Sequence, residues 1–280
     1  MSPMSTSARV HYNHVTDAWK EFMGDNLHFG YFENGATDLP QATDLLVDKM
    51  LALCNVTSDS RVLDVGCGIG APAFRIHEKC KCAIIGISTS ERGIRLAAAA
   101  SREKGYDDAV QFRVADGLDN GFPNDYFDIV WVMESSHLMA DRQKLFRECF
   151  RVLRNDGVLV LCDLMLLKIL PLHREIAHYL RHGFQYLQLF RTWGNGRVYS
   201  LGYCCNGLIQ AGFHEVTAID ITEKTLPTLR WWRQNAVQHG SRLSGGFTKS
   251  DVDQFIIGCN ILEKFFMSGM FGYGMLRAVK

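Results

Sequence analysis

What this 280-residue chain lacks narrows it first. Its formal net charge is zero, with 30 basic and 30 acidic residues, so no cationic footprint for nucleic acid runs along it. It opens without a basic n-region and apolar h-region, and no uninterrupted apolar run reaches the length of a bilayer span, which predicts a soluble, cytoplasmic protein. The nine cysteines are odd in number and include no C-x-x-C pair. Cys80 and Cys82 stand two positions apart and Cys204 and Cys205 are adjacent, neither of them a zinc-knuckle spacing, so no metal site is expected. They read as free thiols of a reducing compartment. Internal repeats and low-complexity linkers are missing as well, and this length then suits one large α/β domain carrying an insertion.

What is present centres on Arg61-Val62-Leu63-Asp64-Val65-Gly66-Cys67-Gly68-Ile69-Gly70. Branched apolar residues make Val62 to Val65 a buried parallel strand. The glycines then let the backbone turn sharply and approach a ligand before a helix from Ala71 to Lys79. A dinucleotide fold reads G-x-G-x-x-G and rests a pyrophosphate on the helix N-terminus. Here the spacing is G-x-G-x-G, and Asp64 precedes the first glycine by two residues. A carboxylate there repels a pyrophosphate and suits an ammonium group, which disfavours a nicotinamide dehydrogenase and points to a cofactor bearing an amino acid.

The run from Val62 to Gly70 resembles the first motif of class I S-adenosylmethionine-dependent methyltransferases, and the resemblance continues along the chain. It implies S-adenosyl-L-methionine as cofactor, with Asp64, Gly66 and Gly68 around its methionine end. His28-Phe29-Gly30-Tyr31-Phe32 is similar to the H-x-G-Y-W/F element of small-molecule C- and O-methyltransferases, which makes Tyr31 the residue that closes over the cofactor. Many members end the second strand in an acid that holds the ribose. Gly86-Ile87-Ser88 departs from this and matches the subgroup of sugar O-methyltransferases and cyclopropane-forming enzymes, so Ser88 and Glu91 become the implied ribose contacts. The run Ser88-Thr89-Ser90-Glu91 reads equally well as a helix cap. Ala115-Asp116-Gly117, ending a third strand from Val110, resembles the adenine-binding motif: Asp116 accepts from the exocyclic amine and the adjacent amide at Gly117 donates to the ring. Tyr126 to Trp131 fits the family's fourth strand. Asp220-Ile221-Thr222 followed by Leu226-Pro227-Thr228 again resembles the O-methyltransferase subgroup.

Strands alternating with helices predict a Rossmann-like, doubly wound α/β sheet, seven-stranded and mostly parallel, with an antiparallel last strand from Phe271 to Val279. Residues 1–38 are expected to hold an N-terminal helix and cofactor-closing segment, beginning with a disordered tail to Thr6. Residues 39–163 form the cofactor-binding core, 164–212 a helical lid and acceptor pocket, and 213–280 the rest of the core. The helix from Ala8 to Met23 caps the site or packs on a second copy, giving a homo-oligomer. Phe184, Tyr186, Phe190, Trp193, Tyr199 and Tyr203 in the lid are expected to wall a pocket for a flat, bulky or terpenoid small molecule.

Methyl transfer from a sulfonium is an in-line displacement, and a hydroxyl acceptor must also lose its proton. Glu134-Ser135-Ser136-His137-Leu138-Met139 follows the fourth strand and resembles the E-S-x-H-x-M segment of small-molecule O-methyltransferases. The resemblance implies His137 as base and Asp163, at the end of the fifth strand, as its partner; Glu134 faces either cofactor or acceptor. O-methylation of a small, largely apolar metabolite is the expected reaction. C-methylation of an electron-rich terpenoid alkene, with aromatic faces stabilising a carbocation, is the runner-up. A protein that senses the cofactor without turning it over is a third reading.

Overall fold

Strands β1 (Arg61–Val65), β2 (Ala83–Ser88), β3 (Val110–Val114), β4 (Phe127–Met133), β5 (Leu153–Leu166), β6 (Tyr199–Ser200), β7 (His214–Asp220) and β8 (Phe271–Val279) form one sheet. Helices α1 (Leu39–Leu51), α2 (Ala71–Cys80), α3 (Glu91–Lys104), α4 (Arg142–Val152), α5 (Leu172–Trp193), α6 (Leu201–Gln210), α7 (Thr222–Thr225), α8 (Pro227–His239) and α9 (Lys249–Met267) connect them. This computed structural model describes residues 19, 22–24, 26–33, 38–194, 196–240 and 248–280, and of His239 the backbone alone. The expected tail and most of the expected helix from Ala8 to Met23 lie outside the described residues.

The strand order is β3-β2-β1-β4-β5-β8-β7, with the two-residue β6 paired to β5 off that path. Strands β1 to β5 run parallel, while β8 lies antiparallel between β5 and β7. The expected seven-stranded, mostly parallel sheet with an antiparallel last strand is therefore present, extended by β6. Every residue of β4 is buried, as its apolar run requires of a central parallel strand. Asn155-Asp156-Gly157, a turn-type run by composition, bulges within β5: Phe127 pairs with Leu153 but Ile129 with Val158, and Asp156 has φ 61°.

Alternation along the strands splits the core into two layers. Val62, Ile84, Ile129 and Trp131 face α1, α2, α8 and α9, whereas Leu63, Val65, Val130 and Val132 face α4 and α6. In α6, Cys204 and Leu208 belong to that second layer, and the helix packs on α4 and β7. Within the 164–212 stretch, α6 is thus a core helix, while α5 packs on α9 on the other side.

Local signals fix the ends that shape the site. Ser90 caps α3, its hydroxyl accepting from the Gly93 amide at 3.1 Å. At α2 the cap is Gly70, with φ 88° and no side-chain partner. Chain order reverses between β1 and β4, so a crevice opens at their carboxyl ends, where open α/β sheets bind ligands.

Candidate active site

A cavity of about 470 Å³ occupies that crevice. Asp64, Gly66, Cys67 and Gly68 line it from β1 and its turn, and Ser88, Thr89 and Ser90 from the end of β2. Asp116 and Gly117 follow β3, Glu134 and His137 follow β4, and Leu164 comes from β5. Five strands thus converge on one space.

The glycine turn holds the backbone against the cavity. Gly66 has φ 84°, and a Cβ there would stand 2.1 Å from the Ser135 Cβ, whose hydroxyl donates to the Val65 carbonyl at 2.6 Å. Gly68 has φ 54°, and a Cβ there would meet nothing within 4 Å, so its open side is a cradle for a ligand. Asp64 is 2% exposed and its Oδ2 has no hydrogen-bond partner. Burial pushes its carboxyl up to about 7. A buried carboxylate with an unused oxygen beside an open glycine turn is complementary to an ammonium group, so these residues fit an amino-acid-bearing cofactor.

At the end of β4 the backbone bends through Glu134, whose φ is 46°. Its Oε1 accepts from the Phe29 amide at 2.6 Å and from the Tyr273 hydroxyl at 2.5 Å. Burial pushes the Glu134 carboxyl up to about 8 against these two bonds. His28, next to Phe29, is 3% exposed and lines the cavity. Its Nδ1 pairs with the Phe29 carbonyl at 2.7 Å, Nε2 has no partner, and burial lowers its pKa to about 4, so the ring is neutral with the proton on Nδ1.

His137 and Asp163 meet as expected from neighbouring strand ends: Nδ1 lies 2.7 Å from Asp163 Oδ1. The same carboxylate accepts from the His137 amide at 2.9 Å, from the Leu164 amide at 2.8 Å and from the Ser136 hydroxyl. Behind them the buried Arg142 donates to Ser136 Oγ at 2.7 Å and packs over the Tyr199 ring. Burial drives the Asp163 carboxyl up, but the His137 imidazole, then Arg142 and Ser136, outweigh it and hold it at about 2. An ionised Asp163 only accepts, so in the neutral form of the imidazole the proton sits on Nδ1 and the lone pair on Nε2.

Two expected contacts lie elsewhere. Tyr31 is outside the cavity lining: its amide donates to the Ala42 carbonyl at 2.7 Å and its ring sits under the Lys49 ammonium. Glu91 is exposed in the first turn of α3 and pairs with Arg95 at 3.9 Å. Of the expected acceptor walls, Trp193 lines this cavity; Tyr186, Tyr199 and Tyr203 line a second one, and Phe184 and Phe190 face solvent. Sequence reasoning missed Ser136, Arg142, Tyr273 and the orphan nitrogen of His28. Only Ser136, beside His137, carried a local signal.

Residues 63–161 match the family profile described as methyltransferase domain. The 27-O-demethylrifamycin SV methyltransferase of Amycolatopsis mediterranei (strain S699) is 30% identical over 271 residues, which cover 96% of this chain and 95% of that protein. The crystal structure of the cyclase SpnF superposes with a TM-score of 0.82 at 25% identity, over 99% of this chain and 97% of that one. Mycolic acid cyclopropane synthase CmaA1 reaches a TM-score of 0.86 over 100% and 99% of the two chains, a likeness of fold at 18% identity. No helix among the described residues is long and apolar enough to cross a membrane. Cofactor cradle, fold and full-length kinship agree: the chain belongs to the class I S-adenosylmethionine-dependent methyltransferases, enzymes that use S-adenosylmethionine, and it acts on small molecules.

Proposed function

We propose that the protein methylates a hydroxyl of a small, largely apolar acceptor, with His137 as general base and Asp163 as its orienting partner. One observation carries the reading: the 2.7 Å contact between His137 Nδ1 and the Asp163 carboxylate, made at the wall of the cavity that also holds Asp64. Bound S-adenosylmethionine supplies the methyl group on a positively charged sulfur, from which a nucleophile displaces it in line. Asp64 accepts from the ammonium of the methionine moiety, and Gly66 and Gly68 let the backbone approach it. Ser88, whose Oγ already accepts from the Ser90 amide at 3.1 Å, keeps its own proton to donate to the ribose. Asp116 uses Oδ1 to accept from the Leu118 amide at 2.9 Å and has its second oxygen for the adenine amine, with Gly117 beside it. Glu134 is proposed to face the sulfur end. For Tyr31 and Glu91 a binding role requires a rearrangement on ligand entry, since both stand outside the lining.

His137 Nε2 then takes the acceptor's proton, and the ionised Asp163 stabilises the imidazolium that forms. Residues 167–193, rather than the whole 164–212 stretch, are proposed to cover the acceptor side. Of the N-terminal helix, Trp19, Phe22 and Met23 are buried against this chain's own core, with Trp19 packed on Trp193 and Phe255. That supports the capping role and gives self-association through this helix no support. Nine unpaired cysteines support a reducing, cytoplasmic setting.

A second reading, C-methylation of an alkene, is favoured by the aromatic rings of Trp19, Phe29, Trp193 and Trp232 in the cavity wall. Mass spectrometry of product labelled from isotopic cofactor, with hydroxylated and prenylated acceptors side by side, separates the two. On a hydroxylated acceptor, His137→Ala is expected to lower kcat roughly 10²- to 10⁴-fold while leaving S-adenosylhomocysteine affinity unchanged. Full turnover by this variant overturns the base assignment.

A further inference from the structure

We propose that the outward face of α5 docks on an anionic phospholipid bilayer. The helix is 22 residues long, and it is apolar on two sides. Its inner side buries Leu189 and packs Tyr186 on Phe265 of α9, ring centroids 5.2 Å apart. On its outer side Leu172, Ile176, Leu180, Phe184 and Leu187 recur every three or four residues, with 73%, 52%, 83%, 69% and 47% of their surfaces exposed. Ile169, 80% exposed, extends the stripe at its start. A helix that simply closes a cavity against water would carry polar side chains on that face, and an apolar patch of this extent marks an interaction surface.

Charge selects the partner. The whole chain is neutral, yet Lys168, Arg174, Arg181 and Arg191 stand against one carboxylate, Glu175, between residues 168 and 193. All four cations are exposed. An apolar stripe with cationic flanks, left exposed among the described residues, suits the boundary between acyl chains and anionic headgroups. A second copy fits less well. Arg181 is near the midpoint of α5, so two helices paired about a twofold axis would bring the two Arg181 guanidiniums together.

The docked face borders a second cavity of about 490 Å³, lined by Leu166, Ile169, Tyr179, Tyr186, Tyr199 and Tyr203. Ile169 and Tyr179 belong at once to that lining and to the exposed surface. On β5, Leu166 of this cavity and Leu164 of the active site lie two residues apart on one face of the strand, about 7 Å. If the proposed apolar acceptor is correct, it passes from lipid to active site along this side; docking itself does not depend on it.

The test is co-sedimentation of the full chain with vesicles of phosphatidylcholine, with and without phosphatidylserine. Binding is expected to the anionic vesicles and to weaken with added salt. The double variant Leu180→Glu, Phe184→Glu is expected to lose at least about tenfold in partitioning. Arg181→Gln and Arg191→Gln are expected to lose roughly fivefold each on the anionic vesicles alone. All variants should keep the wild-type melting temperature and affinity for S-adenosylhomocysteine, which shows them folded and separates this proposal from the catalytic one. Absence of vesicle binding, or equal binding by the double variant, overturns it. So does light scattering that finds a dimer which the double variant dissociates, because the face is then covered by a second copy.

Discussion

Asp163 is the residue on which the chemistry of the site turns, because its charge decides where the imidazole proton resides. Four donors from His137, Ser136 and Leu164 surround it, and Arg142 supplies the compensating charge through Ser136. Asp163→Asn keeps the shape but replaces an obligatory acceptor with a carboxamide that can present its NH₂ to Nδ1. The proton then moves to Nε2 and the base is lost. The expected result is a kcat lower by about 10²-fold or more, unchanged affinity for S-adenosylhomocysteine, and a loss of stability of about 3 kcal/mol because Arg142 stays buried without its counter-charge. Steady-state kinetics, titration calorimetry and thermal melting check the three parts. The pair itself was legible in sequence, since both members stand at strand ends that the topology makes neighbours. Arg142 was not: its role follows from the first turn of α4 folding back against Ser136. Tyr31 stands outside the cavity lining for a similar reason, its backbone bond to Ala42 leaving the ring beside Lys49.

Among the elements, the β1 turn bears the tightest constraint, and its glycines are unequal. Gly66→Ala combines φ 84° with a Cβ 2.1 Å from that of Ser135, which must break its bond to Val65 to make room. Destabilisation by more than about 2 kcal/mol is expected. Gly68→Ala meets no neighbour within 4 Å, so the protein should fold at a cost of about 1 kcal/mol. Its methyl group then intrudes on the cofactor, and affinity for S-adenosylhomocysteine falls by roughly tenfold or more. Melting curves without ligand, compared with calorimetric titrations, distinguish the two effects. Element reading succeeded wherever a strand, a cap and a helix follow in order. It misjudged α6 because Leu201 to Gln210 is apolar enough for a lid or a core layer. What decides is Gly207, where a Cβ would stand 3.0 Å from the Phe146 ring, so the glycine lets α6 approach α4 closely.

For the whole molecule, alternating strands and helices were enough to predict the sheet and the crevice at its switch point. The place of β8 between β5 and β7 was not, because chain order says nothing about where in the sheet a last antiparallel strand enters. The crevice gathers two carboxyls, Asp64 and Glu134, whose burial raises them to about 7 and about 8. Near neutral pH the free protein therefore holds protons that a cationic ligand must expel. Below about 7 Asp64 is largely protonated, an arriving ammonium favours its ionised form, and binding releases a proton; affinity rises with pH and levels off once Asp64 is ionised beforehand. S-adenosylhomocysteine carries the ammonium without the charged sulfur, so it isolates Asp64 from Glu134. The most direct test is calorimetry of this ligand at pH 6 and pH 8 in buffers of different ionisation heat, with wild type and Asp64→Asn. Proton release at the lower pH, tighter binding at the higher, and loss of both together with roughly tenfold or more of affinity in the variant are the expected results; pH-independent binding that the variant shares would contradict the assignment of Asp64 to the cofactor's amine.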